Sequence, residues 1–555
     1  MMFPKENVMC KTVHSMAFSK VGVSYRHKLV PSLKAQNILE SGLIEEKTNL
    51  YLRSGQIVET LNRFMNSSDM ELSIENVPSR WVIEKADWEI EETIPIYERE
   101  IILSYSKKVW EAMIHQKNTS VPITHDGYLK LWQLRQPNLQ TIVSHDVLLI
   151  DEAQDINPTM LDIINHQSTA KVIVGDPNQQ IYSFRGAVNL LKEFKSSKKF
   201  SLTQSFRFGP EIAFVANCCL EHLKKNDERT LVGGRNRDML VGSDKDVVGP
   251  VTIIGRTNGG VFQEIVRRIC ESDDEVKGCI IGGDKLLVEY KNLLYLREEK
   301  FNRMTKYKRF RSISSLEIFA NQSNDHQLKS LISLVNCYDV PNFRRILEKI
   351  KKRCFHNEAN ADFVFTTAHL SKGLEWDSVY ILDDFGEVLK GLKVNKHIPD
   401  DEKNLLYVAI TRAKKTLILT KFVYCLLGSC NYFFTRISCD ISQMYANCIR
   451  CNNKIDGNNL VLHEISLSGG IRNCDSYVCT YCSVSPFRKF KFTGSDPLTS
   501  TNVITHDMNN RLFRFLLGPK TEDYNKITTH FDTFIPDLNL RNNQNEAFRN
   551  YEENI

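Results

Sequence analysis

VLLIDEAQD (Val147–Asp155) climbs through four apolar residues and then turns abruptly acidic. A continuous Val/Leu/Ile run without polar alternation predicts a parallel strand covered on both faces. Sheets of that kind bind ligands beyond the carboxyl ends of their strands. An Asp placed there, Asp151, can hold magnesium directly or through water, and the neighbouring Glu152 can orient and deprotonate the water that attacks a nucleotide's terminal phosphate. The competing reading is an acidic helix start, where carboxylates complement the exposed amides of a first turn. The next block, KVIVGDPNQQIYSFRGA (Lys171–Ala187), is a second apolar strand ending in a polar cluster. Its spacing fits strand, helix, parallel strand. Asp176 and Gln179 can reach a phosphate and its water. Tyr182, Phe184 and Arg185 offer two rings and a guanidinium, the groups that unpaired nucleic acid needs, since bases stack at ~1–3 kcal/mol each and phosphates attract positive charge. An ordinary core ring at Phe184 and a surface charge at Arg185 are the alternative.

The whole chain sets bounds. Its 555 residues accommodate roughly three or four domains of ~100–200 residues each. Hydrophobic residues at 42% and charged residues at 25% exclude a wholly disordered chain and predict a globular one. The net charge of +5 permits a nucleic-acid partner without requiring one, because a local basic groove matters more than the total. MMFPKENVMCK lacks a cationic stretch followed by an apolar core, so no signal peptide is expected. No apolar run approaches the ~18–20 residues of a membrane helix, and no membrane partner is expected. Fifteen cysteines in such a chain point to reduced thiols, with paired ones holding metal rather than forming disulfides.

At this point the chain resembles the UvrD/Rep-like superfamily 1 helicases. LLIDEAQD is similar to their motif II and GDPNQQIYSFRGA to motif III. SLTQSFRFGPE (Ser201–Glu211) is similar to motif IV, TAHLSKGLEWDSV (Thr367–Val379) to motif V, NLLYVAITRAKK (Asn404–Lys415) to motif VI, and CKTVHSMAF (Cys10–Phe18) to motif Ib. Six blocks in the family's order are far more specific than any one. THDGYLKLWQL (Thr124–Leu134) and TLVGG (Thr230–Gly234) are similar to the branch of that family named for its F-box.

The resemblance implies roles position by position. Asp151 would serve magnesium, Glu152 the hydrolytic water, and Gln179 would sense the terminal phosphate. Arg207 and Arg412 would approach that phosphate from opposite domains, and an arginine of this kind is worth ~10³–10⁵ in rate. Phe206 would stack on adenine, Glu375 would accept from ribose hydroxyls, and Asp176 and Gly373 would line the nucleotide. Thr12, His14, Tyr182, Phe184, Arg185, His369 and Lys372 would contact DNA. Phe184 stands where the family has Trp, which keeps a stacking face but loses the indole donor.

The implied fold class is α/β, with two RecA-like parallel-sheet domains, mainly helical insertions and a small zinc-binding C-terminal region. Domain 1A would use 1–30 and 136–205, with insertion 1B at 31–135. Domain 2A would use 206–290 and 358–430, with insertion 2B at 291–357. Within 2B, KFNRMTKYKRFR (Lys300–Arg311) is basic with interleaved rings, either a duplex contact or a solvated helix face. The implied activity is ATP-dependent 3′-to-5′ movement on single-stranded DNA, with DNA junctions and recombinase filaments as partners, in nuclear repair and restraint of recombination.

One departure stands out. Nowhere is there a GxxxxGK[ST] sequence, the loop whose amides cradle phosphates. No F-box is recognisable either, so a ubiquitin-ligase partner is not expected. The expectation is therefore an incomplete 1A with bare apolar faces and weak or absent ATPase in this chain. The rival function classes are a non-catalytic single-strand-binding relic and a protein-interaction scaffold. In the tail, CIRC (Cys448–Cys451) and, about 27 residues later, CTYC (Cys479–Cys482) could place four thiolates around a structural zinc, with Cys474 as a substitute ligand. The module would span 440–490, and 491–555 is polar and irregular, its end LRNNQNEAFRNYEENI (Leu540–Ile555) expected to be disordered.

Overall fold

The structure is a computed structural model. It describes residues 8–427 apart from 47, 86–87, 183–185, 187–190, 192–193, 195–197, 225–230, 237, 242–243, 273–274, 356–357, 386–397, 421–422 and 424–425, and beyond 427 only short strands between Tyr432 and Leu516. The zinc expectation falls largely outside this set: Cys448, Cys451, Cys474 and Cys482 lie outside the described residues, and of Cys479 only its backbone place in strand Tyr477–Cys479 is described. The chain divides into two compact units, Met1–Lys198 with Asp284–Glu348, and Lys199–Gly283 with Lys349–Ile555.

Most of the first unit is helical. Helices Leu50–Met65 and Ile96–Ile114 bury Ile57, Leu61 and Phe64 against Ile102, Val109, Trp110 and Met113. In the first helix these positions recur every three or four residues, and in the second they fall on one face across three turns, so each helix presents an apolar stripe. Phe64 and Trp110 meet edge to face, with ring centres 5.3 Å apart. The segment Asp284–Glu348 packs into the same unit. Tyr51 stands edge-on to Phe319 at 5.3 Å, Arg309 Nη1 donates to Leu39 O at 2.7 Å, and Asn324 Nδ2 donates to Val82 O at 3.0 Å. Helix Leu50–Met65 comes so close that a Cβ on Gly55 would lie 2.4 Å from Ser323 O. The basic stretch Lys300–Arg311 is neither a continuous helix nor a row of exposed rings. Only Phe301–Arg303 makes a turn of 3₁₀ helix, while Tyr307 and Phe310 are buried and Arg303, Lys308 and Arg311 face solvent.

Strands in this unit are short. β1 (Leu29–Val30) pairs in parallel with β4 (Ile123–Thr124), β2 (Arg80–Lys85) and β3 (Trp88–Thr93) form a hairpin, and β5 (Val147–Ile150) pairs in parallel with β6 (Ala170–Ile173). Helix Pro158–Asn165 makes the crossover from β5 to β6, as the spacing predicted. The strand type is as expected, but its burial is not. Along β5 the exposure alternates, and Val147, Leu149, Val172 and Val174 are 45%, 59%, 50% and 50% exposed while Ile150 is buried. Only one face of this two-stranded sheet is covered, by Ile164, Met160 and their neighbours. An apolar run announces what a strand could bury, and the described residues supply a partner for one side alone.

The second unit holds a seven-stranded parallel sheet. Its strands are β7 (Met239–Val241), β8 (Val251–Gly255), β9 (Gly278–Ile280), β10 (Cys354–Phe355), β11 (Phe363–Thr367), β12 (Trp376–Ile381) and β13 (Ala413–Ile418), in the order β10-β9-β11-β8-β12-β13-β7. Here the covered parallel strand is realised: every residue of β8 is buried. Among the described residues no helix is long and apolar enough to cross a membrane.

Two outcomes check this account. Leu149→Thr should leave unfolding within about 0.5 kcal/mol of the parent, whereas Ile150→Thr should cost about 2 kcal/mol or more, as read by urea denaturation. The second concerns Lys130, fully buried under the Phe64 ring at 4.5 Å with its Nζ donating to Ser67 O and Asp69 O. Burial pushes its pKa down to about 8, against about 10.4 in an unfolded chain. Below both values folded and unfolded chains hold the proton alike and the burial penalty is fully felt. Between them the folded chain sheds it first, so stability rises from about pH 8 to about pH 10.4 and then levels. Lys130→Met should remove that rise in thermal-unfolding midpoints.

Candidate functional site

In the first unit the pairing of β5 and β6 continues past the strands themselves. Val174 N–H donates to Ile150 O at 2.8 Å, and Ala153 N–H donates to Val174 O at 3.0 Å. The two turns therefore leave the sheet side by side, bringing Asp151 and Glu152 next to Asp176 and Gln179. The fully buried Gln154 ties them together. Its Nε2 donates to Glu152 Oε2, and its Oε1 accepts from Asp176 N–H at 3.0 Å. The close passage needs glycine at 175, where a Cβ would lie 2.4 Å from Gln154 Oε1. Asp176 then accepts Gln179 Nε2 on Oδ2 at 2.9 Å and Asn178 N–H on Oδ1 at 2.9 Å. Glu152 takes a left-handed φ of 52°, and its N–H donates to Asp151 Oδ1 at 3.0 Å. A non-glycine residue in that region is uncommon and clusters at functional sites.

The sequence reading missed Gln154, whose one signal was its place between the carboxylates of DEAQD. Asp151 and Glu152 are both exposed. Among the described residues no group of three or more His, Cys, Asp or Glu is arranged to hold a metal. The donor set instead suits magnesium, which takes one or two carboxylates and fills its remaining positions with water and phosphate oxygens. Tyr182 follows half-buried, and Phe184 and Arg185 lie outside the described residues.

Elsewhere in this unit Thr12 accepts Ser15 N–H at 3.1 Å and caps helix Val13–Lys20. His14 Nε2 lies 3.1 Å from Asp126 Oδ1, and its ring stands edge-on to His125 and Tyr128 at 6.4 Å each. The first turn of helix His125–Gln133, inside the THDGYLKLWQL block, thus orients an expected DNA contact.

In the second unit, the stretch 203–211 is braced by Val232, Gly234, Asn236 and Asp238. Ser205 N–H donates to Val232 O and Val232 N–H to Thr203 O, both at 2.8 Å. Asn236 Nδ2 donates to Phe206 O at 3.2 Å and to Arg207 O at 3.3 Å. Asp238 accepts Glu211 N–H at 3.2 Å and Ile212 N–H at 2.8 Å, capping helix Pro210–Cys218 in place of Gly209, which has no side chain to do so. Phe206 is left 89% exposed. Sequence reasoning had noted TLVGG only as wording; the backbone of Val232 and Gly234, with Asn236 and Asp238 just after, holds the arginine-bearing loop.

Arg207 Nε donates to Glu375 Oε2 at 2.8 Å and its Nη1 donates to Thr411 O at 3.0 Å. The Arg207 guanidinium, aided by Lys414 and Arg412, holds the Glu375 carboxyl below the usual carboxylate range. The pair is thus intact at neutral pH and is lost only as pH falls through that lowered value. The expectation that Arg207 and Arg412 come from opposite domains is corrected: both belong to the second unit. Arg412 is 1% exposed and turns inward, its Nε donating to Val408 O at 2.9 Å and its Nη1 to Leu374 O at 3.2 Å. It supports the backbone just before Glu375, a task that motif spacing could not show. His369 lies on the short helix Ala368–Ser371, which Thr367 caps, and Lys372 follows; both are half-buried. Gly373 has a φ of +81°. Asp238→Ala should cost the second unit about 1–2 kcal/mol in urea unfolding, with Asp238→Asn recovering part of it.

The comparisons with known proteins agree with this picture. The UvrD/REP helicase N-terminal domain matches residues 6–199 and the UvrD-like helicase C-terminal domain matches residues 128–424. F-box DNA helicase 1 of Gallus gallus is 33% identical over 521 residues, which covers 87% of this chain and 50% of that relative. F-box DNA helicase protein 1 of Schizosaccharomyces pombe is 31% identical over 457 residues, covering 74% of this chain and 50% of the relative. The chain spans about half the length of these relatives. With the carboxylate–amide cluster in one unit and the arginine–glutamate cluster in the other, and with one domain match covering more than half of its residues, the chain belongs to the UvrD-like helicase family.

Proposed function

We propose that this protein is an ATP-dependent DNA helicase that moves 3′ to 5′ on single-stranded DNA, with nuclear roles in repair and recombination control, and that the 555-residue chain alone turns ATP over weakly or not at all. The observation that carries the reading is the joined turn pair of the first unit, where Gln154 fastens Asp151 and Glu152 to Asp176 and Gln179. Magnesium, when bound, would neutralise phosphate charge there. Asp151 would hold the metal, Glu152 would take a proton from the attacking water, and Gln179 would position that water. Arg207 would meet the developing phosphate charge, Phe206 would offer its ring to adenine, and Glu375 would accept from the ribose hydroxyls. Arg412 would act through the Leu374 backbone unless it turns outward. Thr12, His14, Tyr182, Phe184, Arg185, His369 and Lys372 would line the path of the strand, with DNA junctions and recombinase filaments as larger partners. Cys448, Cys451, Cys479 and Cys482 would hold a structural zinc.

A second reading rests on two observations: the 555 residues contain no GxxxxGK[ST], and β5–β6 presents a bare apolar face. Both favour a chain that binds single strands and turns ATP over weakly or not at all. The test is DNA-stimulated ATPase of the 555-residue chain beside a full-length relative, with single-strand affinity measured on both. Tight binding with at most a few per cent of the relative's turnover is expected. Turnover equal to the relative's would remove the second reading, and no preference for single strands would remove both.

A further inference from the structure

We propose that Arg207 and Glu375 form an exchangeable latch: ribose hydroxyls occupy the Glu375 carboxylate and thereby release the Arg207 guanidinium for the terminal phosphate of the same nucleotide. The inference rests on the nucleotide reading above and adds a coupling between sugar and phosphate recognition.

Three features of the second unit carry it. The carboxylate is already committed. Its Oε2 holds Arg207 Nε at 2.8 Å and its Oε1 faces Lys414 Nζ at 3.9 Å. A vicinal diol donates two O–H groups and so competes for both oxygens. The guanidinium is blocked on the edge that matters. A phosphate grips an arginine bidentately through a pair of parallel N–H groups, and the Nε–Nη2 edge is occupied at Nε. Nη2 makes no hydrogen bond among the described residues, and Nη1 stays anchored on Thr411 O at 3.0 Å. Release at Nε therefore lets the group swing about a retained bond.

The latch is also weak enough to open. Arg207 and Glu375 are 29% and 47% exposed, and ion pairs of that exposure are easily exchanged. Lys414 also bridges to Asp377 at 3.2 Å, so Glu375 keeps a cation beside it after Arg207 leaves. Phe206, one residue before the arginine and 89% exposed, offers a base platform beside it. A sugar lacking these hydroxyls leaves the latch shut, so discrimination falls on the availability of Arg207 as well as on affinity.

The experiment treats the 555-residue chain with phenylglyoxal and quantifies modification of Arg207 by peptide mass spectrometry. Adenosine carries the hydroxyls without a phosphate, and 2′,3′-dideoxyadenosine carries neither. Adenosine should raise Arg207 modification about two- to fivefold, the range set by losing a half-exposed ion pair, and dideoxyadenosine should not. Glu375→Ala should raise it by the same factor with no ligand and abolish the difference between the nucleosides. Glu375→Gln, which keeps the shape and removes the charge, should behave like Glu375→Ala. Magnesium ATP should protect Arg207 in all three chains. Equal rates with the two nucleosides, with ATP still protecting, would overturn the latch and leave the nucleotide reading standing. Failure of ATP to protect Arg207 in any chain would overturn the nucleotide reading itself.

Discussion

Parallel pairing makes strand ends meet, and the cluster in each unit depends on it. In a parallel pair the carboxyl ends lie at one edge and the amino ends at the other, so whatever follows or precedes neighbouring strands is brought together. The first unit uses the carboxyl edge: Ile150 and Ile173 are in register, and the ladder runs on until Gln154 can span from one turn to the other. The second unit uses the amino edge. Trp376 opens β12 opposite Ala413 of β13, and Trp376 N–H donates to Arg412 O at 3.0 Å. That register sets Glu375 beside Thr411 and Arg412, where Arg207 joins them.

The two clusters differ in stiffness for a physical reason. In the first, backbone ladders and a buried carboxamide fix the acidic groups, and little can shift without breaking hydrogen bonds that water does not replace. In the second, the loop is braced from behind by Asn236 and Asp238, while its business end is a partly exposed ion pair. Rigid support behind a loosely held charged tip is the arrangement expected where a side chain must change partners without its backbone moving.

Much of the fold could be read from residues alone. The apolar run before Asp151 gave the strand, its spacing to Lys171 gave the crossover, and Asp176 and Gln179 were placed beside the first carboxylates. The second unit carries a parallel sheet, and its strand β10 (Cys354–Phe355) lies in 291–357, the segment read as an insertion. What could not be read concerns neighbours rather than patterns. Leu149 looks like a core residue because composition states an appetite for burial, whereas exposure depends on what lies across from it. Gln154, Asn236 and Asp238 act through contacts 22 to 30 residues away that no motif spacing encodes. Arg412 matched a phosphate-binding arginine by position, yet its guanidinium serves carbonyls of its own unit. Lys300–Arg311 read as a duplex contact or a solvated helix face, but Tyr307 and Phe310 are buried and Phe310 lies against Tyr51.

The order in which the chain visits its two units has a consequence for synthesis. The chain leaves the second unit after β9 and returns to it at β10, having spent Asp284–Glu348 in the first. A ribosome that has delivered the first 198 residues has not delivered the helices that cover Tyr51 and Gly55. Those arrive only after three of the other sheet's seven strands have emerged. Neither unit can mature as a vectorial product, and both must wait, partly open, for late residues.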